Sequence, residues 1–293
     1  MLNRLLTILR SPDGPRITEI LKLIGSVLII ITVAAFFYDV THPGTFAAVQ
    51  ADRYGCLGGQ PPAGATLVFI DRTDPYSTQQ ITAVTSELRR ISASIQPGEL
   101  FTIASIGEDL PALIEFRACS PEKGDAFSLL ESLRRPNVDW LDLKHQYEEK
   151  FEKPIQKLTS EMPLGLATAH SPIIQSISGV ITQLGSQWDR VHKRRLTVIS
   201  DLMENTQAFS HYRPSDNQRR FADARRQINY IRDTPLDLRG VAVTVFYVTG
   251  IPHDRDLQGL NHQRFWRDFI AFYGGDLVDW VVVPQGQLTI PSR

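Results

Sequence analysis

The run TLVFIDRTDPYS, residues 66–77, ends a short apolar stretch at Asp71 and places a hydroxyl, Thr73, two residues later. Continuous apolar runs of this kind mark strands buried on both faces of a parallel sheet. Ligands of open α/β folds gather just beyond the carboxyl ends of such strands. Two further segments carry oxygen atoms in a similar setting: Ser171 stands before Pro172 at a helix start, and Asp201 follows the apolar run RLTVIS. Carboxylates and hydroxyls drawn from three loops suit a hard divalent cation such as Mg2+, which takes oxygen ligands in near-octahedral geometry. Each residue also has a plainer use. Asp71, Thr73, Ser77, Ser171 and Asp201 are all types that accept hydrogen bonds from the free N–H groups of a helix's first turn.

The elements that must position them alternate along the chain. Strands are predicted at residues 66–71, 100–106, 112–118, 195–200, 241–248 and 277–283, with the third nearer a sheet edge. Helices are predicted at 79–95, 124–134, 140–158, 172–184 and 261–273, where apolar residues recur at helical spacing. Ser171 is placed as N-cap of the fourth helix, with Pro172 in its first turn. Strands alternating with helices over more than two hundred residues define an α/β, doubly wound, mostly parallel sheet. Residues 207–233 interrupt this rhythm with Arg213, Arg219, Arg220, Arg225, Arg226 and Arg232, read as a helix laid on the surface. Its charges are either a solvated face or a docking surface for an acidic partner or lipid headgroups.

The N-terminus is of another kind. Residues 23–38, LIGSVLIIITVAAFFY, run about 16 residues without a charge, roughly 24 Å of helix. With Ile20, Leu21 and a snorkelling Lys22 at one end and Phe36, Phe37 and Tyr38 at the other, residues 18–39 read as a transmembrane helix. Arg4, Arg10, Arg16 and Lys22 precede it, whereas Arg53 stands alone in the stretch that follows. The positive-inside bias puts residues 1–17 in the cytoplasm and the rest outside it, in a periplasm-like compartment. Residues 40–64, rich in Gly, Pro and Ala, read as a linker or stalk, and 65–293 as the exported domain. Cys56 and Cys119 then face the oxidising side, as a disulfide or as two buried thiols. A formal net charge of −1 gives no global field toward nucleic acid.

The order FIDRTDPYS, HSPIIQSI, TVISDLMEN resembles the von Willebrand factor A (VWA) domain and its metal-ion-dependent adhesion site. That family sets Asp-x-Ser-x-Ser after the first strand, a Thr before a central helix and an Asp after the fourth strand. The resemblance implies a VWA/Rossmann-like fold, with Asp71 and Thr73 in the first motif, Ser171 in the hydroxyl slot and Asp201 in the acidic one. It implies a bound Mg2+ or other divalent cation and non-enzymatic capture of an acidic side chain on a protein partner, here in a membrane or envelope assembly. Pro75 occupies the third slot of the first motif and offers no oxygen; Ser77 or a water is the substitute.

A rival from another class is a Mg2+-dependent phosphohydrolase. Asp71-Arg-Thr is similar to the nucleophile run of the haloacid-dehalogenase superfamily, with Ser200 as strand-end hydroxyl and Asp276 with Asp279 as the acidic pair. Against it, that pair follows a helix and precedes a strand. The seven histidines show neither zinc spacing nor a partner, and there is no G-x-S-x-G elbow.

Overall fold

Eight consecutive buried residues, GATLVFID, make β1 (Gly64–Asp71). Its side chains alternate between two cores, as the period of a strand requires: Leu67 and Phe69 enter one, Val68 and Ile70 the other. The strand can be apolar on both faces because helices cover both. The structure is a computed structural model that describes residues 22, 24–34, 51–58, 60–106, 112–124, 138–161, 168–250 and 256–285. It divides into two units, Met1–Gln50 and Ala51–Arg293.

In the first unit residues 24–34 are helical, with Ile24, Leu28, Ile29, Ile30 and Ile31 exposed. The hydroxyls of Ser26 and Thr32 donate to the carbonyls of Lys22 and Leu28, at 2.9 and 2.8 Å, and so are satisfied within the helix. Both ends of the expected span 18–39 lie outside the described residues. Among the described residues, no helix is long and apolar enough to cross a membrane.

The second unit runs β1, α1 (Thr78–Ser94), β2 (Glu99–Ile106), β3 (Leu113–Cys119), α2 (Trp140–Tyr147), a π-helical stretch Glu148–Glu152, and α3 (Lys153–Glu161). It continues with α4 (Ile173–Leu184), α5 (Ser186–Asp189), β4 (Arg194–Ser200), α6 (Pro214–Asn217), α7 (Phe221–Gln227) and α8 (Asn229–Arg232). β5 (Val241–Val248), α9 (Leu260–Phe272) and β6 (Asp276–Val283) close it. The six strands are ordered β3-β2-β1-β4-β5-β6. β3 is antiparallel to β2, and every other neighbouring pair is parallel. This is a doubly wound sheet whose strand order reverses between β1 and β4, and the crevice at that reversal is where such sheets bind ligands.

Two expectations change in detail, and a third is not reached by the described residues. The helix expected at 140–158 contains a π stretch at Glu148–Glu152, where Phe151 is buried against Phe101 and Phe116. The helix expected at 124–134 lies, beyond Gly124, outside the described residues. The arginine-rich segment is three short helices rather than one, and Phe221, Ala224 and Ile231 enter the core. Its charges are paired close by: Arg213 and Arg219 with Asp216, Arg220 and Arg226 with Asp223. The guanidinium of Arg225 lies 4.2 Å from the centre of the Phe272 ring.

Residues 51–58, read from composition as the end of a stalk, are fastened to the sheet. Asp52 accepts from the N–H groups of Tyr54 and Cys56, the Cys119 N–H donates to Tyr54 O, and a Cys56–Cys119 disulfide closes the link. A cross-link over 63 residues restricts the unfolded chain by about 4 kcal/mol in the chain-entropy model. The Cys56→Ser/Cys119→Ser double variant is therefore expected to lose roughly that much unfolding free energy in urea titration. A loss below about 1 kcal/mol would show that the unfolded chain gains nothing from release of this loop.

Candidate functional site at the strand reversal

β1 and β4 pair with Ile70 opposite Ile199, which brings Asp71 beside Ser200 and one residue short of Asp201. Asp71 is only 3% exposed, and both of its oxygens are engaged. One accepts from the Thr73 N–H at 3.0 Å and the Thr73 hydroxyl at 2.6 Å; the other accepts from the Ser200 hydroxyl at 2.7 Å. The Thr73 and Ser171 hydroxyl oxygens lie 2.9 Å apart. Ser171 is held there by paired backbone hydrogen bonds with Asn205, its N–H to Asn205 O at 2.9 Å and the return bond at 2.8 Å. Asp201 accepts from the Met203 N–H at 2.9 Å, and its carbonyl accepts from Gln258 Nε2 at 3.0 Å. Four of the five expected site residues, Asp71, Thr73, Ser171 and Asp201, thus meet at one edge of the sheet.

Ser77 is used elsewhere. It is the N-cap of α1 and forms a capping box with Gln80, its Oγ accepting from the Gln80 N–H at 3.2 Å. Ser171, by contrast, does not cap α4 as its position suggested. The N-cap is Pro172, and the orphan N–H of Ile174 donates to Glu204 Oε2 at 2.9 Å. A carboxylate reaching across from the loop after β4 takes the capping place and leaves the Ser171 hydroxyl to Thr73.

The electrostatics follow from burial. Loss of hydration raises the Asp71 carboxyl above the ordinary range, against the lowering effect of its Thr73 and Ser200 hydrogen bonds. Asp201 is raised well above that range by burial first, then by the nearby charges of Asp71 and Asp74, and it shares a hydrogen bond with Asp74. Asp71, Asp74 and Asp201 line one cavity of about 20 Å³, together with Pro75, Tyr76, Gln80 and Thr249. That is room for one water-sized occupant.

Among the described residues, no three His, Cys, Asp or Glu side chains are arranged to hold a metal ion by themselves. A cation here would depend on the hydroxyls. The Thr73 and Ser171 hydroxyls are hydrogen-bonded to each other at 2.9 Å, a separation that is also compatible with one edge of an octahedron with metal–oxygen bonds of about 2.05 Å, the Mg2+ value. The donor set fits. Thr73 and Ser171 would be direct ligands, and Asp71, Asp201 and Asp74 the surrounding carboxylates. Asp74 was passed over in the sequence although it lies within DRTDPYS; it brings an oxygen beside the slot that Pro75 leaves empty.

The haloacid-dehalogenase arrangement is not assembled. Asp276 pairs with Ala242 at the start of β5, the opposite end of the parallel strands from Asp71. No protein-family model and no curated protein matches the chain. Among solved structures, it is similar to the conserved hypothetical protein BatB of Bacteroides thetaiotaomicron. That match has 12% identity and a TM-score of 0.39, covering 76% of this chain and 91% of that one. An aerotolerance-related membrane protein of Bacteroides fragilis, carrying multiple mutations to serine, is similar at 12% identity and a TM-score of 0.34, over 75% and 91%. The ArnB paralog VWA2 of Sulfolobus acidocaldarius is similar at 12% identity and 0.39, over 78% of this chain and 44% of that one.

Glu204 is the most telling residue that the sequence did not reveal. It is fully buried, accepts from the Tyr230 hydroxyl at 2.7 Å, and burial pushes its carboxyl up to about 8. A group raised in the folded state binds its proton more tightly there than in the unfolded chain. Its stabilising effect is complete below about pH 4.5 and is lost as pH rises through about 8. Glu204→Gln, which stays neutral, is therefore expected to flatten the decline of melting temperature between pH 5 and 9. Parallel curves for the two proteins would contradict the assigned titration.

Proposed function

We propose that the chain is a membrane-anchored, extracytoplasmic VWA-like domain that recognises a protein partner through a divalent cation held at the strand reversal. The observation that carries this reading is the meeting of Asp71, Thr73, Ser171 and Asp201 at the carboxyl ends of β1 and β4. The first motif, the hydroxyl before the central helix and the acid after the fourth strand fall in the order the VWA resemblance implies. A bound cation would supply a Lewis-acidic centre for a carboxylate of the partner. The chain's own part is to hold two hydroxyl oxygens at a fixed separation and to keep the supporting carboxylates dry.

Anchoring is supported by the exposed apolar side chains of residues 24–34 and by two hydroxyls satisfied within that helix, as hydrocarbon surroundings demand. Export is supported by the disulfide, since such bonds persist in oxidising compartments. The partner belongs, on this reading, to a membrane or envelope assembly in which the domain serves as a scaffold.

A fragment beginning at Ala51 retains the disulfide and is a unit in its own right. Mg2+ or Mn2+ at ten times its dissociation constant stabilises the folded state by about 1.4 kcal/mol. For a domain of this size that is roughly 3–6 °C in melting temperature. Asp71→Asn, which keeps the shape and removes the charge, is expected to abolish the shift. An unshifted wild-type fragment at millimolar ion would leave the fold as a metal-free scaffold.

A further inference from the structure

Leu202 has a φ of +60°, and it is the only residue other than glycine in the left-handed region among those described. It follows Asp201 directly, and a leucine there is under strain that its surroundings must hold. Two side chains of α9 do so. The Leu202 carbonyl accepts from His262 Nε2 at 2.9 Å and from Trp266 Nε1 at 2.8 Å, and the Glu204 N–H of its own loop also donates to it, at 3.0 Å. The Leu202 N–H donates to Ser200 Oγ at 2.7 Å, and that same hydroxyl donates to Asp71.

The donors are themselves fixed. A carbonyl can only accept, so the proton of His262 sits on Nε2, and Nδ1 accepts from the Tyr247 hydroxyl at 2.7 Å. His262 and Trp266 are 0% and 1% exposed. The His211 ring stacks edge-on against His262 at 4.4 Å, and its Nδ1 accepts from the Glu204 N–H at 3.1 Å. Just before α9, Gln258 Nε2 donates to the carbonyls of Asp201 and Val248, at 3.0 and 2.9 Å. Gln258 and the first two turns of α9 therefore hold two successive carbonyls, those of residues 201 and 202.

We propose that His262 and Trp266 are positioning residues for the site: by holding Leu202 in its left-handed conformation they aim Ser200 at Asp71 and Asp201 into the cavity, and couple α9 to whatever occupies it. This rests on the cation reading for its ligand, but not for its geometry. Without the two donors, residue 202 relaxes toward the extended region, its N–H leaves Ser200, and the hydroxyl that supports Asp71 is freed. The position of α9 and the occupancy of the site then depend on one another, as linkage requires.

The test uses the full chain in detergent micelles, with amide hydrogen exchange as one readout and Mg2+ titration as the other. His262→Phe keeps a ring of similar size and removes the donor. It is expected to speed exchange at Leu202, Met203 and Glu204 at least about 10-fold while the β5 amides stay protected. It is also expected to weaken Mg2+ binding by roughly 10–100-fold, the usual cost of losing a group that orients a ligand. His262→Gln, which retains an N–H donor, should restore both. Trp266→Phe removes the second donor and must loosen the same three amides, so the test stands if His262→Phe does not fold. Unchanged exchange at residues 202–204, or an equal rise throughout β5, would overturn the proposal by leaving α9 a packing role alone. If the wild-type chain takes up no Mg2+, the cation reading fails, and the exchange experiment still decides the positioning role.

Discussion

A carboxylate that is 3% exposed must be satisfied on every side, and Asp71 imposes that demand on the loops around it. Two hydroxyls and one backbone N–H answer it directly. Each of those donors is placed by something else: Thr73 by the turn after β1, Ser200 by the register of β1 against β4. The register in turn follows from two apolar runs, residues 65–70 and 196–199, that are buried on both faces. A slip of one residue would reverse which side chains enter which core, and would carry Ser200 away from Asp71.

The loop after β4 does the most with the fewest residues. Ser200 supports Asp71, Asp201 faces the cavity, Leu202 is strained, and Glu204 caps a helix from another part of the chain. Glu204 at the start of α4 is favourable both as a hydrogen-bond acceptor and as a negative group near the helix N-terminus. Its burial works against the charge, which is why its proton is retained to about pH 8. By taking the place that Ser171 would fill in isolation, it leaves the Ser171 hydroxyl to Thr73.

The sheet was largely legible in the sequence. β5 was read at its observed bounds, because an apolar run in a parallel sheet is bounded by its own composition. The alternation of residues in β3 marks it as an edge strand, and it is one of the two edges of the sheet, β6 being the other. The capping role of Ser171 was misread, since local sequence shows the Ser-Pro signal but not Glu204 arriving from thirty residues away. His211 and His262 looked partnerless for a similar reason: their partners are the Glu204 N–H, the Leu202 carbonyl and the Tyr247 hydroxyl, none of them adjacent in sequence. In the arginine-rich segment the charges stay at the surface, but the single helix its composition suggests is broken into three. Phe221, Ala224 and Ile231 set its place in the core, and the arginines are held by Asp216 and Asp223 beside them. Cys56 and Cys119 were open to two readings until their strand and turn were placed.

On the proposed function, the Thr73 and Ser171 hydroxyls form one edge of a cation's coordination shell. This is tested most directly by an anomalous difference map from crystals of the Ala51–Arg293 unit grown with Mn2+. The account predicts a single peak at about 2 Å from both Thr73 Oγ1 and Ser171 Oγ, with Asp201 turned from Asp74 toward the ion's waters. A map at saturating Mn2+ with no peak there, and with Asp74 and Asp201 still sharing their hydrogen bond, would contradict it.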